Sequence, residues 1–166
     1  FPLLFFVLNR KKCAELACMV EVTLNSTFEQ YEVENFINDK TREMDLTYLQ
    51  KMDQYHMIRK LAIKGIGVHH SGLLPILKEI VEILYERKLI KVLFATETFA
   101  VGLNMPTKTV VFPELTKFSS DEGYRFFLSH EFIQMAGRAG RRNIDEYGHV
   151  IFLPQLFKKQ MKPFEI

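Results

Sequence analysis

Cysteine is scarce in this chain: only Cys13 and Cys18 occur, five residues apart on a predicted helix, where they share no face. No histidine stands at ligand spacing beside them, so they read as structural thiols suited to a reducing compartment. No apolar run is long enough to span a membrane. The longest candidate, the opening residues 1–8, also lacks the basic segment and cleavage site of a signal peptide and reads as a buried strand. Net charge is nearly absent as well, since 22 Lys and Arg face 20 Asp and Glu for a balance of +2. Any basic surface must then come from local clusters such as Arg10-Lys11-Lys12 and residues 138–142. Two further absences concern phosphate chemistry. There is no Gly-x-x-x-x-Gly-Lys-[Ser/Thr] loop and no Asp-Glu pair closing a strand, so the chain lacks the standard parts for cradling a nucleotide and its metal. His69 and His70 have no third ligand at useful spacing and read as core or turn histidines.

What is present is an alternation. In 166 residues, enough for one domain with a sizeable core, short β-rich runs at 3–8, 65–69, 91–95, 108–112 and 149–153 are separated by helical patterns. The pattern predicts an α/β fold with a mostly parallel sheet covered by helices on both faces. Helices are expected over about 10–20 and from Pro75 to about residue 87, the second with an apolar stripe of Ile76, Leu77, Ile80, Val81 and Leu84 and no chemistry of its own. Residues 23–60 are more polar and acidic, which fits one or two amphipathic helices inserted at the sheet edge. The runs 115–118 and 124–128 flank a Ser-Ser-Asp-Glu-Gly turn cluster; a β-hairpin fits this, and so does a surface loop with incidental aromatics. A chain that enters a strand at Phe1 with no initiator methionine is expected to be an excised domain, spanning 1–154, with 155–166 as a tail or linker to domains not included.

Three segments carry chemistry. Residues 134–142 read Gln-Met-Ala-Gly-Arg-Ala-Gly-Arg-Arg; if helical, Gln134, Arg138 and Arg141 fall at i, i+4 and i+7 and share a face. Arginine forks suit phosphate oxygens, and Gly137 and Gly140, each costly by roughly 1 kcal/mol inside a helix, call for a reason such as close approach of a ligand. A solvated basic helix with glycines near its end is the plainer alternative. Residues 91–106 run from a buried strand into Thr96-Glu97-Thr98, placed at a strand's carboxyl end where ligands of parallel sheets sit. Gly102 would admit a close backbone approach and Asn104 could bond a sugar hydroxyl, while Thr96 and Thr98 also suit caps of a following short helix. Residues 65–75, Gly-Ile-Gly-Val-His-His-Ser-Gly-Leu-Leu-Pro, again end a strand in a polar turn, where Ser71 and Gly72 could meet a phosphate. Asn9 and Arg10 end the first strand in the same manner. A row of three such ends suits the regular phosphates of a nucleic-acid backbone.

In this order and spacing, the three segments closely resemble the second RecA-like domain of superfamily-two DExH-box helicases, and more narrowly the superkiller branch, which includes the RNA helicases that feed the exosome. The resemblance implies a three-layer RecA-like domain with a small helical insertion and a hairpin at 113–128, where related helicases place a strand-separating element. It implies that Gln134, Arg138 and Arg141 act on the γ-phosphate of ATP. Gly102 and Asn104 would also face that nucleotide. Asn9, Arg10, Ser71, Gly72, Thr96, Glu97 and Thr98 would hold the RNA backbone, with Glu97 linking the two sites. ATP and Mg²⁺ would be held mainly by an absent N-terminal RecA-like domain. Implied partners are that domain, single-stranded RNA or a duplex with an overhang, and an exosome-type nuclease complex, in an intracellular protein with no membrane. A DNA helicase of a related branch and a catalytically idle nucleic-acid scaffold are the alternatives. Asn143 stands where the family often has glycine, residues 23–60 are unmatched by the motifs, and the arginines are expected on the side of the sheet served by the turns that follow its strands.

Overall fold

The computed structural model describes residues 2–42, 46–100, 107–121, 123–140 and 145–153. Each of the five apolar runs forms a strand: β1 (Leu3–Phe6), β2 (Ile66–His69), β3 (Val92–Ala95), β4 (Thr109–Phe112) and β7 (His149–Phe152). They make one sheet in the order β2-β3-β1-β4-β7, parallel at every pairing. Parallel pairing puts the carboxyl ends of β1, β2 and β3 level with one another: Phe6, Ala95 and His69 share a register. The turns after these strands therefore share one edge, as the sequence required.

The helices are α1 (Arg10–Met19), α2 (Thr27–Thr41), α3 (Leu46–Leu49), α4 (Asp53–Ile63), α5 (Pro75–Glu86) and α6 (Ser129–Ala136). Every residue of β2 and β3 is buried, which shows a sheet covered on both faces. This is the RecA-like α/β layering that the resemblance implies. Cys13 is buried on α1 and Cys18 exposed, and neither forms a disulfide. Burial pushes the Cys13 thiol up to about 12, so it stays protonated and inert.

The polar stretch 23–60 does flank the edge strand β2, yet it forms three helices rather than one or two. Val33, Ile37, Ile58, Leu61 and Ala62 belong to the main core, so these helices are an integral part of the fold. Among the described residues, no acidic side chain of this stretch is buried. Glu29 closes a capping box with Ser26 at the start of α2 and also accepts from Lys91. The Lys91 bond first, then the Ser26 N–H, pulls Glu29 from its ordinary 4.5 down to about 2. Because the folded value lies below the unfolded one, this stabilisation is full above about 4.5 and drains away as pH falls towards 2. Urea melts of Glu29→Gln are expected to show a flatter loss of stability across that window; an unchanged pH slope would remove Glu29 from the acid response. No described helix is long and apolar enough to cross a membrane.

Candidate functional site

At the carboxyl edge the three predicted turns come together. Asn9 caps α1, its side chain accepting from the Lys12 N–H at 3.1 Å, and Arg10 begins the helix exposed to solvent. A Cβ on Gly72 would lie 3.5 Å from Arg10 Cδ, so the guanidinium stem runs beside the exposed Ser71–Gly72 turn. His70 braces that turn, its Nδ1 accepting from the Gly72 N–H at 3.1 Å. Burial, and then the charge of Arg10, lowers the affinity of His70 for a proton, which keeps it available as an acceptor. Thr96 is buried, and its hydroxyl meets that of Thr98 at 3.0 Å. Glu97 and Thr98 begin a short 3-10 turn (Glu97–Ala100) and are exposed, so they, rather than Thr96, offer groups to a ligand. The edge thus presents one guanidinium, hydroxyls and a carboxylate, a set that fits a sugar-phosphate chain.

The helix assumed for residues 134–142 ends early. Helix α6 stops at Ala136; Gly137 is its C-cap, and the Arg138 and Ala139 N–H groups bond three residues back, to Met135 and Ala136. At Gly140 the backbone turns left-handed, with φ of +81°. Gln134 is exposed on the last helical turn, Arg138 is half-buried on the turn beyond it, and Arg141 lies outside the described residues, as do Gly102 and Asn104. Gly140 meets a close approach within the chain itself. A Cβ on Gly148, just ahead of β7, would fall on the Ala139 carbonyl, and one on Gly140 would lie 3.0 Å from Gly148 Cα. The close approach is between two backbones, and it locks the arginine turn to the sheet.

One backbone bond fixes where the arginine turn lies. The Gly140 N–H donates to the carbonyl of Thr107, which precedes β4, at 3.0 Å. Thr109 is level with Val92 through Leu3, so the Arg138 turn sits by the amino end of β4, about a strand's length along the sheet from Thr96. Helix α6, which bears Gln134, packs against the 3-10 turn that bears Glu97 and Thr98.

The hairpin forms, with β5 (Thr116–Ser119) antiparallel to β6 (Gly123–Phe126). Its pairing puts Lys117 directly opposite Arg125, an arrangement that repels unless an anion sits between. Glu131 of α6 supplies it: its carboxylate takes two bonds from Arg125, both 2.9 Å, one from Lys117 at 2.7 Å and one from the Leu128 N–H at 2.8 Å. Arg125 above all holds the Glu131 carboxyl well below its usual range. The opposite face carries Phe118, Tyr124 and Phe126, all exposed. Sequence reasoning missed the Lys117–Glu131–Arg125 anchor; its signal was the period-two pattern placing two cations in register.

Helices α2 and α4 also enclose a basic hollow with Arg42 and Arg59, but Asp39 and Glu34 pair with these arginines. Among the described residues no three His, Cys, Asp or Glu side chains converge as metal ligands.

Comparison with known proteins places these features. The family described as Helicase conserved C-terminal domain matches residues 23–143, which include the helices of 23–60. The chain is 48% identical over 156 residues to "DExH-box ATP-dependent RNA helicase DExH9" of Arabidopsis thaliana, covering 92% of this chain and 15% of that protein. It is 45% identical over 153 residues to human "Superkiller complex protein 2", covering 92% and 12%. With mouse "Exosome RNA helicase MTR4" it shares 43% over 156 residues, covering 92% and 14%. The chain thus spans a small part, 12% to 15%, of these relatives.

Proposed function

Because the chain belongs to the helicase conserved C-terminal domain family, we propose that it is the second motor domain of an ATP-dependent RNA helicase, a lobe that closes on a nucleotide held by its neighbour. The observation that carries this reading is the locked turn bearing Arg138, fixed by Gly140 and Gly148 at a distance from the phosphate-compatible edge. Domain 1–154 would close against an N-terminal lobe that brings the phosphate cradle, with 155–166 leading to further domains. Arg138 and Arg141 would then neutralise charge developing on the γ-phosphate, and Gln134 would orient the attacking water. Gly102 and Asn104 would line the same nucleotide. The guanidinium groups of this set repel a cation and no carboxylate stands among Gln134, Arg138, Arg141, Gly102 and Asn104, so these residues do not fit Mg²⁺, and the carboxylates that would hold it would come from the neighbouring lobe.

Asn9, Arg10, Ser71, Gly72, Glu97 and Thr98 would track the RNA backbone along the carboxyl edge, with Thr96 holding Thr98 in place. The exposed aromatics of the hairpin suit stacking against bases of an RNA strand or an overhang-bearing duplex. The names of the relatives favour RNA over DNA and an exosome-type nuclease as partner; the setting we propose is RNA decay or processing inside the cell. ATP hydrolysis by the full-length protein, assayed with single-stranded RNA and with DNA of the same sequence, tests the reading. Stimulation by RNA is expected. Equal stimulation by DNA would assign the chain to a DNA-acting branch, and hydrolysis with neither would leave an idle scaffold.

A further inference from the structure

Helix α5 carries an apolar stripe to which the sequence assigned no chemistry, yet its inner face also holds Glu82 and Tyr85. Glu82 Oε1 lies 2.7 Å from His69 Nε2, and the His69 ring, 5% exposed, meets Phe99 edge-on with centroids 4.9 Å apart. Phe99 belongs to the 3-10 turn that follows Thr96. Its ring in turn meets Tyr85 edge-on at 5.8 Å, and the Tyr85 hydroxyl lies 2.8 Å from Thr107 Oγ1. Tyr85 and Thr107 are wholly buried. Both ends of this file are tied to the two sites. The Thr96 N–H donates to the His69 carbonyl at 3.1 Å, and the Thr107 carbonyl receives the Gly140 N–H at 3.0 Å.

We propose that the file His69–Phe99–Tyr85–Thr107 is the coupling element between the nucleic-acid edge and the arginine turn, with Tyr85 and Thr107 as positioning residues. This rests on the proposed motor function. The file is buried and closely packed, so a displacement of the 3-10 turn by a bound strand is passed along it rather than absorbed. A Phe–Val pair would fill the space of Tyr85 and Thr107 without desolvating two hydroxyls. The hydroxyl pair instead fixes one alignment of α5 against Thr107, and through Thr107 the level of the turn that holds Arg138. Glu82 performs the same service at the other end, holding the His69 ring against Phe99.

The coupling is read as the factor by which single-stranded RNA raises ATP hydrolysis in the full-length protein. Tyr85→Phe keeps the ring and removes the hydroxyl. It is expected to lower that factor by about ten-fold, within the usual range of coupling between sites, while hydrolysis without RNA and RNA affinity without ATP stay within about two-fold. Thr107→Val should lower it equally, and the double variant no further, because both changes cut one link. Thr107→Ser keeps the hydroxyl and should retain the factor. Stimulation within about two-fold of the unsubstituted protein in Tyr85→Phe, or additive losses in the double variant, would overturn the coupling role. So would a fall in unstimulated hydrolysis and melting temperature that accounts for the whole effect. If the unsubstituted protein shows no RNA stimulation, the motor reading itself fails and this inference with it.

Discussion

Arg138→Ala in the full-length protein is expected to lower kcat for ATP hydrolysis by roughly 10³- to 10⁵-fold, the usual worth of an arginine that meets a transferring phosphoryl group. RNA affinity without nucleotide should stay within about two-fold, because Arg138 lies about a strand's length from the carboxyl edge where the phosphate-tracking residues gather. Arg138 is half-buried and its backbone is held on a turn rather than on a free helical face. Its position is set by the fold before any nucleotide arrives, and a preset charge costs no reorganisation when the transition state forms. Arg138→Lys keeps the charge and loses the planar fork, so it should recover only a small part of the rate. Arg141→Ala is expected to behave like Arg138→Ala. Unchanged turnover in either alanine variant would remove that residue from the chemistry.

Gly148→Ala should produce the second largest effect, although Gly148 touches neither proposed ligand. Its new Cβ would fall on the backbone of Ala139 and close to that of Gly140, and backbone cannot rotate out of the way as a side chain can. The Arg138 turn must then move off the amino end of β4, or β7 must shift outward. A displacement of the order of 1 Å at a reacting centre costs about 10²-fold in rate. A fall of that size in kcat is therefore expected, with stability lowered by about 1 to 3 kcal/mol for forced overpacking. RNA affinity should persist. Retention of full hydrolysis would show that the arginine turn is not fixed by this contact.

These two substitutions also mark where the sequence was legible and where it was not. The five strands lie inside the apolar runs that announced them, and α1 and α5 end within a residue of expectation, because periodicity records which faces are buried. The row of polar turns at one edge followed from parallel strands alone. The end of α6 was misread since spacing says where side chains would point if a helix continued, not whether Gly137 and Gly140 let it continue. Gly148 gave no local signal, because its constraint comes from residues 139 and 140 across a tertiary contact. Glu131 was hidden for a similar reason: a carboxylate between two cations becomes visible only once the hairpin register is known. The helices of 23–60 were taken for an insertion because acidic residues are interleaved with the apolar positions that reach the core.

The claim on which the account turns is that this domain supplies arginines to a triphosphate that another lobe delivers. ATP hydrolysis by the purified 166-residue chain, shown to be folded by a cooperative melt and assayed beside the full-length protein, tests it most directly. The account predicts background turnover for the isolated chain with or without RNA, and RNA-stimulated turnover for the full-length protein. Robust hydrolysis by the isolated chain would contradict it.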